Sequence, residues 1–469
     1  MTLFSLPWLE IAILLPFAGA IGVALQRTHD GAYRWCVGFT GTAFGACALA
    51  CFGFYSGLTP ANGGSGSLFE LTGRRIFVLD ELSAPLLPLA ALLHFLTSLS
   101  TARTKMARFS FGATLADESL RLALFACSDP WPLVILLSLG AVTPYLEMRR
   151  RGSPTRVYAL HMGLFVVLLA AGWACVDGSL PGGREVGSAL LLAAVLLRCG
   201  AFPVHIWVTD LFENCSFGSA LLFATPIAGV YAAVRLVLPV APDWVLQSLG
   251  FVSLLTALYS AGMATIQRDA RRFFAFLFLS HASLVLVGLE LHTSVSLTGA
   301  LALWFSVALS LGGLGLTLRA IEARIGRLTL DRFHGLYEHS PSLAVCFMLT
   351  GLASVGFPGT LGYIAADLLV EGAIEANLAL GFIVVVTSAL NSIAIVRVYF
   401  LIFTGARHTS AVSLAITGRE RFAVLVLAGL IIGGGLVPQP HIASRHRAAE
   451  ALLSQRDAAA GIPAGSHAH

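Results

Sequence analysis

The chain has 469 residues, of which 57% are hydrophobic and only 12% charged, with a mean hydropathy of +0.83. Soluble domains carry charge on about a quarter of their residues, so the composition excludes one and describes a polytopic helical membrane protein. The net charge of +4 selects no partner beyond the lipid bilayer and gives no ground for nucleic-acid binding.

Apolar runs long enough to span a bilayer, about 17–25 residues, fall at 6–26, 35–55, 79–100, 109–127, 131–147, 157–175, 187–208, 216–237, 246–266, 273–290, 295–318, 342–373, 378–403 and 422–438. They predict an all-α integral membrane protein of about fourteen transmembrane helices. The first run lacks a basic leader and contains Glu10, so it is expected to be a permanent helix rather than a signal peptide. The fourth run is the weakest, because Asp117, Glu118 and Arg121 lie inside it. The Gly/Ser-rich stretch Thr59–Arg75 reads as an external loop. His441–His469 reads as a polar tail, a short helix followed by a disordered end.

Charge in the loops tests this count. Of 29 Lys and Arg residues, 19 lie in loops after odd-numbered helices and seven on the other side, the tail included. The positive-inside rule then puts the basic loops in the cytoplasm and both termini outside. That is the pattern of a multi-pass protein of a bacterial-type cytoplasmic (inner) membrane.

Lys105 is the only lysine. Arginine keeps its proton in a protein, whereas a buried lysine can lose it. A proton relay in this chain therefore needs Glu, Asp, His and water. The eight cysteines, at 36, 47, 51, 127, 175, 199, 215 and 346, form no CxxC and no Cys/His cluster, and are expected to be small buried apolar residues. No dinucleotide, P-loop or haem motif occurs. No cofactor, metal or catalytic residue is expected in this chain.

Two runs are interrupted where ionisable residues gather. In Leu196–Asp210, Gly200 and Pro203 fall between Arg198 and His205, with Asp210 following. In Ser354–Gly372, Gly356 and Pro358 precede Asp367 and Glu371. Proline removes a donor and clashes with the preceding turn, so each helix is expected to break. Broken, charged helices at membrane depth are tolerated where protein or a water-filled cavity receives them. A pair of them in corresponding halves points to a transporter built from repeats.

Several stretches resemble, in order, the proton-translocating membrane subunits of respiratory complex I. That family includes Mrp-type antiporters, membrane-bound hydrogenases and DabB, the membrane partner in inorganic-carbon accumulation. AVLLRCGAFPVHIWVTD (194–210) resembles the broken seventh helix, and FVLDELSAPLLPLAALL (77–93) the third. IQRDARRFFAFLFLSHASLVLVGL (266–289) is similar to the loop and tenth helix. LASVGFPGTLGYIAADLLVEGAI (352–374) is similar to the broken twelfth, and ERFAVLVLAGLIIGGGLVPQP (420–440) to the fourteenth. The resemblance implies two inverted five-helix repeats, 109–237 (helices 4–8) and 246–403 (helices 9–13), each with a broken helix. Before them come helices 1–3 in 1–108. After them come helix 14 in 404–438 and the tail, 439–469. The long lateral helix of the distal complex I subunit is not expected in this chain.

The resemblance also implies a line of ionisable groups at mid-membrane. Glu118 falls at the fourth-helix glutamate, eleven residues before Asp129. Arg121, three residues on, is placed to pair with it. Arg198 replaces the seventh-helix lysine, seven residues before His205, and is expected to act as a fixed charge. Arg271 takes the lysine position before the tenth helix, and Ser280–His281 matches the family's Ser-His pair. Asp367 lies one residue beyond the usual ionisable position of the twelfth helix, Ala366. Glu118, Arg198, His205, His281 and Asp367 are thus the expected path, with Arg121, Asp210 and Arg271 as supporting charges. The fifth-helix glutamate is missing (Ser138–Leu139), as are the eighth-helix lysine (near Ala228) and the eleventh-helix histidine (near Val307). His94 and His161 have no register support and read as structural. Glu10, Asp80 and Glu81 lie near helix ends.

The leading expectation is a proton- or cation-translocating subunit of a hetero-oligomeric complex with membrane and cytoplasmic partners, such as a redox module. One alternative is a DabB-like subunit serving a DabA-like zinc protein in an inorganic-carbon pump. The other is a transport-inactive scaffold.

Overall fold

The computed structural model describes residues 6–58, 70–71, 74–180, 183–291, 293–406 and 414–460. By its internal contacts the chain divides into two compact units, one through Ser153 and one from Pro154.

The first unit holds α1 (Trp8–Ala24), α2 (His29–Tyr55), α3 (Ser83–Leu99), α4 (Phe111–Ala126), α5 (Pro130–Gly140) and α6 (Val142–Arg150). Two two-residue strands, β1 (Glu70–Leu71) and β2 (Arg74–Arg75), pair antiparallel. The rest of the expected external loop, 59–69 and 72–73, lies outside the described residues. The doubtful fourth run is a regular helix. Its ionisable residues are accommodated because α4 packs against α1, α2 and α3 at once. The fifth run falls in one candidate span, Pro130–Arg150, in which the single residue Ala141 separates α5 from α6. Tyr33, Cys36, Phe109, Phe111 and Leu115 form an apolar cluster at the start of α4.

The second unit begins with α7 (Arg156–Val176), α8 (Gly183–Cys199), α9 (Ile206–Asn214), α10 (Phe217–Ala224) and α11 (Ala228–Ala232). It continues through α12 (Asp243–Ile266), α13 (Ala270–Glu290), α14 (Ser294–Ile325), α15 (Pro341–Ser354) and α16 (Leu361–Ala376). It ends with α17 (Leu378–Phe403), α18 (Gly418–Leu436) and α19 (Gln439–Ala460). Every predicted apolar run corresponds to one of these helices or to a pair of them.

Burial ranks them. In the second unit, α13, α14 and the span Phe217–Val237 are buried over 94% of their apolar stretch, against 33% for α7 and α17. Helices apolar all round form the centre of that unit, and the others turn one side to lipid. α7 and α8 approach closely at Gly172 and Gly187, where a Cβ on either would meet the other helix's backbone. Small residues make such contacts possible where apolar burial no longer drives association.

Within the eighth run, a single candidate span over Phe217–Val237, the helix is interrupted after Pro226. Ile227 is left-handed (φ 47°), and a π-helical turn, Ala233–Val237, follows α11. Proline explains the interruption, since it cannot donate to the ladder. The Pro226 carbonyl accepts from Trp304 Nε1 of α14 at 3.0 Å, as an apolar interior requires.

The helix expected at the start of the tail is longer than read, and the disordered end expected after it, 461–469, lies outside the described residues. Gln439–Ala460 is a 22-residue helix, set at 80° to α18. Its buried residues are Ser444, Arg445, Ala448, Ala449 and Leu452, and it packs on α14. The apolar face is short and interleaved with charges, so hydropathy alone does not reveal it.

Candidate functional site: two helix breaks and a buried carboxylate

In the first unit, Glu118 of α4 is fully buried and both its carboxylate oxygens lack a hydrogen-bond partner. The expected pairing with Arg121 is corrected. Arg121 Nη2 lies 3.4 Å from both oxygens of Asp117, one helical turn back. His94 of α3 places Nε2 3.2 Å from Asp117 Oδ2 and Nδ1 2.9 Å from the Ala90 carbonyl. At i,i+4 Asp117 and Arg121 share a helix face, whereas Glu118 is turned about 100° away. Asp117 thus engages both Arg121 and His94. Glu118 is left as a carboxylate in an apolar setting, where charge is costly unless a proton or a counter-charge is supplied.

The first break of the second unit separates α8 from α9. α8 ends at Cys199, and Gly200 (φ 73°) turns the chain. The break is closed by side chains. Trp207 Nε1 donates to the Leu197 carbonyl at 2.8 Å, and Phe202 N donates to Thr256 Oγ1 of α12 at 3.0 Å. These satisfy groups that a broken ladder frees. Arg198, 6% exposed, lies in the last turn of α8, where the helix dipole favours a cation. Its guanidinium carbon is 4.1 Å from the Phe223 ring centroid and 5.6 Å from that of Trp207. His205, also buried, packs among the rings of Phe202, Tyr259 and Phe276 at 5.9, 5.3 and 5.8 Å. Asp210 Oδ1 accepts from Asn214 Nδ2 at 2.9 Å.

The second break separates α15 from α16. Gly356 and Gly359 are left-handed (φ 83° and 82°), which frees the last carbonyls of α15. One of them, Ser354 O, lies 2.9 Å from His281 Nε2 of α13, and His281 Nδ1 lies 2.8 Å from the Leu277 carbonyl. His281 is 1% exposed. A neutral imidazole has one N–H and can serve one of these carbonyls; the imidazolium has two and serves both. Which carbonyl the ring serves therefore depends on its tautomer and protonation. Neighbouring Ser280 Oγ donates to Ala257 O of α12 at 3.0 Å and accepts from Asn391 Nδ2 of α17 at 2.9 Å. Asp367 and Glu371 follow on α16 and are exposed, so they face away from the chain's own interior.

Arg271 is a clamp. Nε and Nη2 hold Glu322 of α14 at 2.8–3.0 Å, and Nη1 donates to the Phe212 and Cys215 carbonyls at the end of α9, both at 3.1 Å. A bidentate pair of this kind fixes geometry as well as charge. His161 Nδ1 contacts its own helix at Val157 O, 2.7 Å away, in keeping with a structural reading. Among the described residues no group of three or more His, Cys, Asp or Glu side chains is arranged to hold a metal.

The sequence reading missed Asp117 with His94, Asn391 and Glu322. Only the i,i+4 spacing of Asp117 and Arg121 was visible beforehand.

Comparison with known proteins places the chain. Residues 160–391 match the family model described as NADH:quinone oxidoreductase/Mrp antiporter, TM. NADH-quinone oxidoreductase subunit 13 of Thermus thermophilus is 30% identical over 67% of this chain and 72% of its own length. A chain of respiratory complex I from Thermus thermophilus with bound NADH shares the fold at a TM-score of 0.84, with 23% identity over 96% of this chain and 99% of that one. A chain of the Mrp complex of Dietzia does so at 0.81, with 19% identity over 98% and 99%. The chain is an integral membrane protein of the NADH:quinone oxidoreductase/Mrp antiporter membrane-subunit family, whose relatives are subunits of multi-subunit complexes.

Proposed function

We propose that this chain is the proton-translocating subunit of a hetero-oligomeric complex in a bacterial-type cytoplasmic membrane, with its basic loops inside and both termini outside. Glu118, Arg198, His205, His281 and Asp367 are the stations of the path, and 109–237 and 246–403 are the two repeats that carry them. The observation that carries this reading is His281, a buried titratable group whose Nε2 lies 2.9 Å from Ser354 O, the carbonyl at the end of α15.

Each residue has a part that its surroundings define. Glu118 accepts and releases the proton, because Asp117 already engages His94 and Arg121. Arg198 keeps its charge and sets the field at the first break, with His205 as the titratable group nearby in sequence. His281 couples its proton to the second break. Asp367, exposed on α16, hands over to a neighbouring subunit. The Arg271–Glu322 pair, the former lysine position, is structural.

The missing acid of the fifth helix and the missing lysine of the eighth reduce the number of stations. The buried groups that remain at both breaks support a working path over a transport-inactive scaffold. The inorganic-carbon alternative gains no support from the relatives named above, and a redox or antiporter partner is the preferred reading.

The test uses inverted membrane vesicles from a deletion strain complemented with wild type, Glu118→Gln or Asp367→Asn. Proton uptake is followed by acridine-dye quenching, with NADH, hydrogen or an imposed sodium gradient as the driving force. Quenching that needs the chain under one of these conditions, and that falls about tenfold or more in the variants, supports the reading. Wild-type quenching in the deletion strain overturns it. Purification of the tagged chain in mild detergent, with mass spectrometry of what co-elutes, identifies the partner.

A further inference from the structure

The polar C-terminal segment enters the helix bundle. α18 ends at Leu436, and a break at 437–438 turns the chain by 80° into α19. Gly435 lets the end of α18 lie against the backbone of Gly359 and Thr360, in the α15–α16 break; a Cβ there would overlap both. Pro440 falls in the first turn of α19, where a missing N–H is harmless. α19 then lies on α14 and is tied at its far end by Arg456 to Asp243 of α12.

One stripe of this helix is ionisable. His441 packs its ring 4.6 Å from that of Phe305, the twelfth residue of α14. Its imidazole donates to the Ala302 carbonyl, while Nε2 is buried and makes no hydrogen bond. With one ring nitrogen committed as donor, the other carries the lone pair. A buried lone pair without a donor is a place for a proton or for the water that brings one. Arg445, four residues on, is 1% exposed and carries a permanent charge. His446 follows, with Nδ1 3.2 Å from Ser294 Oγ and 3.3 Å from Thr298 Oγ1, and Nε2 3.3 Å from Glu450 Oε1. The His446 and Glu450 side chains are 47% and 59% exposed.

His441 thus shares the packed side of α19 with Arg445, Ala448, Ala449 and Leu452, and His446 and Glu450 lie on its exposed side. His446 sits beside Ser294, where α14 starts, at the end opposite Arg324 in the last turn of α14 and Arg327 beyond it. Across Ser294–Leu318, α14 offers no ionisable residue. The charged residues of α18 are confined to Arg419, Glu420 and Arg421 in its first turn, and Asp243 of α12 is held by Arg456. The groups that act on His441 are therefore those of α19 itself, Arg445 first. Like charge opposes a second cation beside it, so a proton on His441 is passed on rather than stored.

We propose that α19 is a proton-exchange limb of this subunit, in which His441 takes and gives up a proton inside the bundle and His446 with Glu450 exchange it with water at the surface. The proposal rests on the translocation reading above and adds a segment to its route. In each step Nε2 gains the proton that a hydronium loses and later returns it to water, and nothing is oxidised or reduced.

The vesicle assay decides between the possibilities. The expected result for His441→Gln, in complex assembled to wild-type level, is a loss of proton delivery of about tenfold or more. The double variant His446→Gln with Glu450→Gln changes exposed residues only and is expected to slow delivery about threefold, a proportion set by partial replacement by water. Unchanged delivery in assembled His441→Gln overturns the proposal. If His441→Gln fails to assemble, unchanged delivery in the surface double variant overturns it. Loss in Glu118→Gln and Asp367→Asn with silent α19 variants overturns the limb alone. Wild-type quenching in the deletion strain overturns the translocation reading and the limb with it.

Discussion

The two broken helices of the second unit use one backbone device and close it with different chemistry. Both turn on a left-handed glycine, Gly200 in one and Gly356 in the other, and both release the last carbonyls of an apolar helix. At the first break the released Leu197 carbonyl is met by the indole of Trp207, a donor at every pH, and the charge beside it is Arg198, which never titrates. At the second, the Ser354 carbonyl is met by His281, whose donor capacity changes with protonation. Two breaks of similar shape therefore differ in what they respond to. The first has a donor that keeps its proton, and the second has a ring whose tautomer and protonation set which carbonyl it serves.

The most severe way to break this comparison is at His281. His281→Ala is expected to reduce proton delivery in energised vesicles about a hundredfold, the scale of a lost acid–base group, in complex that still assembles. A variant that retains delivery would make the second break respond to protons no more than the first. Next is the acid that follows that break. Asp367→Asn is expected to cost about tenfold in the same assay, with the amount of co-purifying partner unchanged. At the first break the expected signature is different. Arg198→Lys keeps a cation but loses the planar stacking on Phe223 and Trp207, so it is expected to lower delivery about threefold and stability by about 1–2 kcal/mol. Thermal unfolding of the purified complex reads the second quantity. The smallest effect is that of Trp207→Phe, which removes one of two donors to the Leu197 carbonyl, Gly200 N being the other, and is expected to cost about 1 kcal/mol. A pH-dependent loss there would contradict a donor that keeps its proton.

The spans and breaks were legible in the sequence because they depend on local properties. Length and apolarity define a span, and Gly200, Pro203, Gly356 and Pro358 interrupt it wherever they fall. The interruption at Pro226 was written there too, but a lone proline in a long apolar run does not say whether the helix bends or stops. Partners were not legible. His94 and Asp117 are 23 residues apart and meet because α3 and α4 pack. The choice of Arg121 between Asp117 and Glu118 is a matter of one residue of helical phase. Register alone placed Arg271 among the charges of a path, and only its bidentate contact with Glu322 shows a clamp. α19 was hidden for another reason. Its average is polar, and the helix is held by a few small residues and a buried arginine that no hydropathy window weights.

The Arg271 clamp has a mechanical consequence. It ties the start of α13, the last turns of α14 and the end of α9 at one point, with five polar contacts sharing a single guanidinium. Three rods pinned at one end share a fulcrum. His281 lies ten residues along α13 from that point, about 15 Å at the helical rise. A tilt of a few degrees about the pin leaves the pinned ends still and moves the far ends most. The geometry therefore converts a small local change into displacement at the end of the bundle where α14 begins, beside His446.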